Sequence, residues 1–349
     1  MRGERSSVLG DPEKRDDVVR LAIIRLTSLL ATLLFAAPVG TEAQTAGKVA
    51  RIGYLGINRP EEVPQHLLDA FHLGLREHGW IEGHNLEIEY RWALGVSDQL
   101  PRLADELVKR KVDLLIAPTT QAIRAAQRAT RDIPIVMVAA NDPVSDGFIA
   151  SFARPGGNIT GLTFDPGLEI GGKHIGLLVQ VVPNLSRVAV LVNPQNLAHE
   201  RMSEPIRAAA QRVRVQVHFF EARRPDEVNV ALVAAMKERP GALLVHSDGL
   251  FFGQRRRIGD FAVRNRLPTI YPWREAADTG GLMTYGASLS DNFRRVGRVV
   301  DRILKGAMPS DLPVEQPLKF ELLINLKNAK SLGLTLPPSL LLQADKVLE

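Results

Sequence analysis

The residues best placed to do chemistry are polar or aromatic groups at the ends of short apolar runs. Thr119-Thr120-Gln121 follow the run 112–117 and Pro118, and Asn141-Asp142 follow the run 135–140. Gly56-Ile57-Asn58 close the run that begins at Arg51, and Asn193 follows 187–192. Asp248 follows 242–246, while Trp273 and Tyr285 stand at the ends of 269–271 and 282–285. The chemistry these types offer is binding. Thr119, Thr120 and Gln121 open a helical pattern, so their N–H groups and hydroxyls can hold a carboxylate, or serve only to cap the helix. Asp142 or Asp248 can pair with an ammonium group. Asp142 serves equally as a cap before Pro143, and Asp248 as the start of an Asp-Gly turn. Trp273 and Tyr285 can form an apolar wall or a cation–π face, or pack beneath the loops.

No catalytic arrangement is visible. There is no Gly-x-Ser-x-Gly elbow. Pro155-Gly156-Gly157-Asn158 is not followed by Gly-Lys-Ser/Thr, and no dinucleotide fingerprint follows any strand pattern. His66, His72, His78 and His84 are spaced by six, which scatters them around a helix, so no metal site is expected. No cofactor is implied. Arg255-Arg256-Arg257 lies in a helical pattern and reads as a solvated face.

The elements that must position these residues alternate strand and helix. Residues 112–117 and 135–140 are apolar without strict alternation, as parallel strands covered on both faces are. Between them Ile123, Ala126 and Thr130 recur at helical spacing. One βαβ unit of this kind defines a parallel sheet, and ligands of such sheets bind beyond the carboxyl ends of the strands. Before it come a strand over 51–57, a helix carrying Leu68, Phe71 and Leu75, an edge strand over 85–92 and an amphipathic helix over 100–108. After it come a short helix over 144–152 and a strand over 158–164. The pattern restarts at Gly171 with helix 175–182, strand 187–192, a helix carrying Ile206 and Val213, strand 215–220, helix 228–237, strand 242–246, helix 252–266 and strands 269–271 and 282–285. Ser290 or Asp291 caps a helix over 290–305, followed by a strand over 317–326 and a closing helix over 339–348.

This is an α/β chain of two doubly wound parallel-sheet lobes. At 349 residues the chain suits two domains. The net charge is +5 with both signs interleaved, so nucleic-acid binding is not expected. Without cysteine, disulfides, thiolate metal sites and Cys nucleophiles are excluded. Lys14, Arg15, Arg20 and Arg25 precede the apolar run 26–39, and small residues follow Gly40. This is the pattern of a secretory signal peptide over 1–43, with an uncleaved anchor as the alternative, and the periplasm is the expected location of the mature protein. A lipoprotein would need a cysteine at the cleavage site.

RIGYLG, HGWIEGHNLEIEYRWA, LADELVKRKVDLLIAP, the 129–163 segment ending ARPGGNITGLT, and the tail from LPVEQPLKFELL resemble the substrate-binding-protein family of bacterial ABC importers, in its tryptophan-type branch. The resemblance implies a type I periplasmic-binding-protein fold closing on a small ligand, an amino acid or similar solute. It implies three hinge crossings, near 164–167, 286–289 and 311–317. Lobe 1 would comprise 50–164 and parts of 287–349, and lobe 2 would comprise 165–286, with the 290–305 helix and the tail returning across the hinge. The implied protein is a non-enzymatic monomer whose partners are a small-molecule solute and ABC permease subunits of the inner membrane. A periplasmic sensor subunit and an enzyme on a flavodoxin-like scaffold are the alternatives. The absent lipobox cysteine departs from many relatives in Gram-positive bacteria.

Overall fold

The computed structural model describes residues 49–164 and 169–349. The expected signal peptide lies outside the described residues, and so do 165–168 of the first expected crossing. The apolar runs of the first half become β1 (Ala50–Gly56), β2 (Leu86–Trp92), β3 (Leu114–Ala117), β4 (Ile135–Ala140) and β5 (Ile159–Thr163). They form one parallel sheet in the order β2-β1-β3-β4-β5. The inner strands are buried along almost their whole length, whereas edge strand β2 is half-exposed over its second half. That contrast is why β2 alternates in sequence and β3 and β4 do not. The crossovers are α1 (Gln65–Arg76), α2 (Leu100–Lys109) and α3 (Thr120–Ala129).

The second sheet holds β6 (Arg187–Val192), β7 (Gln216–Glu221), β8 (Ala242–Val245), β9 (Thr269–Tyr271), β10 (Met283–Ala287), β11 (Phe320–Asn325) and β12 (Lys346–Leu348). Their order is β12-β11-β10-β9-β8-β6-β7, and only the β10–β11 pair is antiparallel. The helices between and after these strands are α4 (Ile170–Val181), α5 (Leu197–Arg212), α6 (Pro225–Lys237), α7 (Gly249–Gly253), α8 (Arg255–Arg264), α9 (Leu289–Leu304), α10 (Leu326–Ser331) and α11 (Pro338–Gln343).

The chain passes between the two lobes three times, through 164–169, 287–289 and 305–319. Helix α9 follows β10 of the second sheet yet packs on the first lobe. Its Gly297 crosses Gly74 of α1 so closely that a Cβ there would lie 2.2 Å from the Gly74 carbonyl carbon. Asn292 of α9 is buried and donates to the Val138 and Thr163 carbonyls, each at 2.9 Å. The third passage lies along β5: Glu315 N–H donates to the Gly161 carbonyl at 2.9 Å, and Thr163 N–H to the Glu315 carbonyl at 2.9 Å.

Four local expectations are corrected. Residues 144–152 form a single turn that does not continue: Asp142 caps it by accepting from Ser145 N–H, but the chain turns left-handed at Gly147 (φ 71°), where the Phe148 and Ile149 N–H groups both fold back on the Pro143 carbonyl. The helix expected over 252–266 is two, α7 and α8, broken at Gln254. The closing helix is only α11; 346–348 instead pair with β11 as a parallel strand. The cap of α9 is Ser288, whose hydroxyl accepts from Asp291 N–H.

A buried histidine makes the second lobe acid-sensitive. The Nε2–H of His174 on α4 donates to the Tyr285 carbonyl at 2.7 Å, and the ring meets Tyr285 edge-on. Burial pulls its pKa down to about 4, against the smaller opposing pull of that carbonyl. The folded value lies below the unfolded one near 6.5, so the stabilisation is complete above pH 6.5 and is lost as pH falls toward 4. The loss is on the order of 3 kcal/mol. His174→Gln keeps a donor for Tyr285. Urea unfolding of this variant is expected to show a shallower loss of stability between pH 6.5 and 4.5 than the wild type. Parallel curves would refute the assignment.

Candidate functional site

Between the lobes lies a cavity of ≈ 70 Å³. A single water needs only ~10–15 Å³ measured in the same way, so the space suits a small solute. Lobe 1 supplies strand ends and helix starts, where backbone polar groups are left over by the secondary structure. Thr119 has extended backbone and caps α3, its hydroxyl accepting from Ala122 N–H. The N–H groups of Thr120 and Gln121 belong to the first turn and take no intrahelical partner. Six aromatic side chains make the walls: Tyr54, Trp92 and Phe164 on strands or strand ends, Phe252 and Phe293 on α7 and α9, and Trp273 after β9. Tyr54 and Trp92 have ring centroids 5.2 Å apart, and Phe252 meets Trp273 edge-on at 5.5 Å.

Asp248 is buried at the wall of the cavity on the second lobe; among the described residues it is the one carboxylate there, and no Lys, Arg or His lines it. Its Oδ1 accepts from Leu250 N–H at 2.9 Å, as the cap of α7, and from Asn193 Nδ2 at 3.0 Å. Its Oδ2 accepts from Asn196 Nδ2 at 3.0 Å and from Gln121 Nε2 at 2.7 Å. The last bond joins the two lobes. Asn141 of the first lobe likewise donates to the Ser247 carbonyl at 3.0 Å.

Two stacked, buried imidazoles with centroids 4.2 Å apart hold this loop from below. His199 accepts from Asn193 N–H at Nδ1 and donates from Nε2 to the Ser247 carbonyl, and His246 Nδ1 accepts from Ser247 N–H. Burial lowers both pKa values, for His199 against the pull of Asp248, and His246 is pushed lower still by the other two histidines. Both rings are therefore neutral, as their accepting Nδ1 atoms require.

The structure brings Gly56, Ile57, Asn58, Thr119, Thr120, Gln121, Asn141, Asp248 and Trp273 to this one cavity. Three other candidates are not on its wall. Asp142 turns to the rim and pairs with Arg201 at 3.2 Å. Asn193 stands behind Asp248 and positions it. Tyr285 points along β10 to the opposite face, against His174 and Phe320. Arg255, read as solvated, is buried: its Nη1 donates to the Phe252 and Glu62 carbonyls, and its guanidinium lies 4.6 Å from the Phe252 ring centre. The aromatic walls other than Trp273 were missed. Trp92 ends β2 and Phe164 directly follows β5, so the strand-end rule that found Asn58 would have found them.

The lobes touch around the cavity. Besides the contacts at its wall, Arg255 reaches the Glu62 carbonyl at 2.7 Å, His66 meets Glu275 at 3.1 Å, and Gln195 joins Ser97 and Asp98. Gly249 packs against Ile57 and Thr119. This is a closed cleft.

The sequence pattern of the ABC transporter substrate binding protein family matches residues 65–348. The chain belongs to this family. Substrate-binding proteins of this kind are typically non-catalytic, bind a small-molecule solute and work with the membrane components of an ABC import system. The chain is 26% identical over 265 residues to a tyrosine-binding protein of Clostridioides difficile strain R20291, covering 76% of each. An ABC domain from Streptococcus pneumonia in complex with L-Trp is similar at 24% identity and a TM-score of 0.78, over 86% of this chain and 99% of that one. The ligand-free, open structure of a substrate-binding protein with adhesive properties from Clostridium difficile gives 22% identity and a TM-score of 0.60, over 86% of this chain and 99% of that one. These likenesses establish the two-lobed α/β fold, with parallel-sheet cores, typical of type I periplasmic binding proteins. Among the described residues no helix is long and apolar enough to cross a membrane.

Proposed function

We propose that this substrate-binding protein is the periplasmic receptor of an ABC importer and closes on an amino acid with an aromatic side chain. The observation that carries the reading is the closed cavity itself, with six aromatic rings at one part of its wall and the start of α3 at another. The free N–H groups of α3, with the hydroxyls of Thr119 and Thr120, suit a carboxylate. The Gln121 Oε1 has no partner, and its nitrogen is committed to Asp248, so its oxygen is the atom left for a ligand N–H. An ammonium beside it also meets the field of Asp248. The rings take an apolar or aromatic body. The tyrosine-binding relative and the L-Trp complex support this chemistry. The carboxylate of Asp248 is occupied by four N–H donors, which leaves it unsuited to act as a base and argues against an enzyme. Delivery follows from hinge opening of the two lobes on a membrane permease.

Titration calorimetry of the mature protein with L-tryptophan, L-tyrosine and L-phenylalanine tests this. At least one is expected to bind with Kd on the order of micromolar or tighter. Tryptamine and indole-3-propionate, each lacking half of the head group, should bind at least about tenfold more weakly than L-tryptophan, the scale of one lost charge-assisted contact. Equal binding of the truncated probes, or no binding of any aromatic amino acid, would overturn the proposal.

A further inference from the structure

On the rim of the cleft, away from the cavity wall, sits a second set of charges that joins the lobes. Arg201 projects from α5 of the second lobe. Its Nε donates to Asp142 Oδ2 at 3.2 Å and its Nη2 to Asp146 Oδ1 at 2.8 Å. Both carboxylates belong to the segment after β4, on the first lobe, and among the described residues they are the ion-pair partners of Arg201. The Asp146 side chain is fully buried in the closed cleft, and within its own lobe only Arg124 approaches it, at 3.4 Å. Arg124 in turn lies over the Phe148 ring, 5.0 Å from its centre. None of Arg124, Asp142, Asp146 or Arg201 lines the cavity.

We infer that Arg201 is a positioning residue for closure: it clamps the lobes through two aspartates the solute never touches, and so sets the affinity of the cleft from outside it. When the lobes part, Arg201 loses both carboxylates, and among the described residues Arg124 is the cation left beside Asp146. The separation of like charges from their bridge makes opening unfavourable. The planar guanidinium reaches the two carboxylates through separate nitrogens, Nε and Nη2, in a fixed fork; a lysine ammonium is a point charge without that fork. Arg201 is 30% exposed, so the clamp is partly screened by salt. A zwitterionic solute brings no net charge, so the part of the salt dependence of its binding that is lost with Arg201 reports the clamp.

The role rests on the receptor reading only for its effect on affinity; the effect on closure is measured without any solute. The chain contains no cysteine, so a label pair can be introduced cleanly. Arg131→Cys lies past the far end of α3 and Arg212→Cys at the far end of α5, both exposed, and both helices run away from the cleft. Spin-label distances between them report the angle of the lobes. In ligand-free protein, Arg201→Ala is expected to shift the distribution away from the closed distance, and 0.5 M NaCl should shift the unsubstituted pair the same way and the R201A pair by clearly less. With L-tryptophan as probe, Kd should weaken roughly fivefold in R201A, and the salt dependence of Kd should be clearly reduced, as expected for one partly exposed bridging pair. Arg201→Lys should fall between. If R201A folds poorly, D142N/D146N removes the same clamp from the other lobe and must give the same shift. Distances and salt response identical to wild type in these variants would overturn the inference. A distance shift without binding of any solute would leave the clamp standing and remove the proposed ligand.

Discussion

Gly249→Ala should weaken binding of the probe amino acid by about tenfold to a hundredfold while leaving the ligand-free protein as stable as wild type to within about 2 °C in Tm. Gly249 opens α7 on the second lobe. A Cβ built on it would stand 2.8 Å from Ile57 Cγ2 and 2.8 Å from Thr119 Cγ2, both on the first lobe. Carbon atoms in contact sit at about 3.5–4.0 Å, so the lobes must stay apart by close to an ångström. Ile57 and Thr119 are β-branched and sit at a strand end and a helix cap, so neither methyl has a free rotamer to retreat into. Within its own lobe the added methyl group has room, which is why stability should hold. Overpacking of this size costs about 1–3 kcal/mol, and each 1.4 kcal/mol is tenfold in Kd. Gly253→Ala is the natural control. Its Cβ would also face the first lobe, but it meets Asn58 Oδ1 and Glu62 Oε2, the ends of side chains that can turn aside. Its effect should be several-fold smaller. Calorimetry and thermal unfolding of both variants check this. Wild-type affinity in Gly249→Ala would mean that the cleft need not close fully to hold its solute.

Much of the fold is legible because a parallel sheet covered on both faces requires apolar strands. Residues 112–117 and 135–140 announce β3 and β4 for that reason, and the polar residues after them mark the cleft end of the sheet. Legibility fails where a partner distant in the chain decides the local state. Residues 346–348 are too few to read as a strand, and only the open edge of β11 makes them β12. The break at Gln254 is hidden because apolar residues continue at helical spacing through both α7 and α8. Arg255 reads as solvated from its charged neighbours, yet its guanidinium is covered by Phe252 and by the Glu62 carbonyl from the other lobe.

The candidate site divides in the same way. Asn58, Thr119, Gln121, Asn141 and Asp248 follow from one topological rule, that polar groups beyond strand ends face the crevice. The rule carries no information on side-chain direction, so it also picks Tyr285, which leaves β10 toward the opposite face and packs on His174. It misses Tyr54, two residues inside β1 on the cavity face, and Phe252 and Phe293, which reach the cavity from helices. The work of Asp248 is invisible in sequence. Asn193 and Asn196 share the loop after β6, while Gln121 belongs to the other lobe and Asp248 to the loop after β8, and nothing in the spacing of these three segments shows that they converge. Arg201 is hidden likewise among the surface charges of an amphipathic helix.

That convergence makes Asp248→Ala the most damaging single change expected in the cleft. The carboxylate accepts four bonds: from Leu250 N–H, Asn193 and Asn196 in its own lobe, and Gln121 across the cleft. Truncation leaves the amides of three buried side chains and a helix-start N–H without their acceptor. Each buried unsatisfied group costs about 1–3 kcal/mol, and relaxation or entering water recovers part of the total, so a net loss of about 3–5 kcal/mol is expected. For a lobe of this size that lowers Tm by on the order of 10 °C. The Asn193 and Asn196 bonds lie within the second lobe, so most of the loss appears without solute, unlike the effect of Gly249→Ala. Asp248→Asn preserves shape and one oxygen but turns a new NH2 group toward existing donors, so it should rescue only part of the stability. Binding suffers for a different reason. Gln121 is oriented because its nitrogen is fixed on Asp248; without that acceptor its amide is free to rotate, and Oε1 is no longer the atom presented to the solute. Gln121→Ala should therefore reproduce much of the affinity that Asp248→Ala loses for L-tryptophan, the remainder being the field of the carboxylate on the ammonium, while keeping a nearly wild-type ligand-free Tm. Thermal unfolding and calorimetry on the two variants separate the roles. An unchanged Tm in Asp248→Ala would show that the amides find other partners, and the network would then not be what holds the loop.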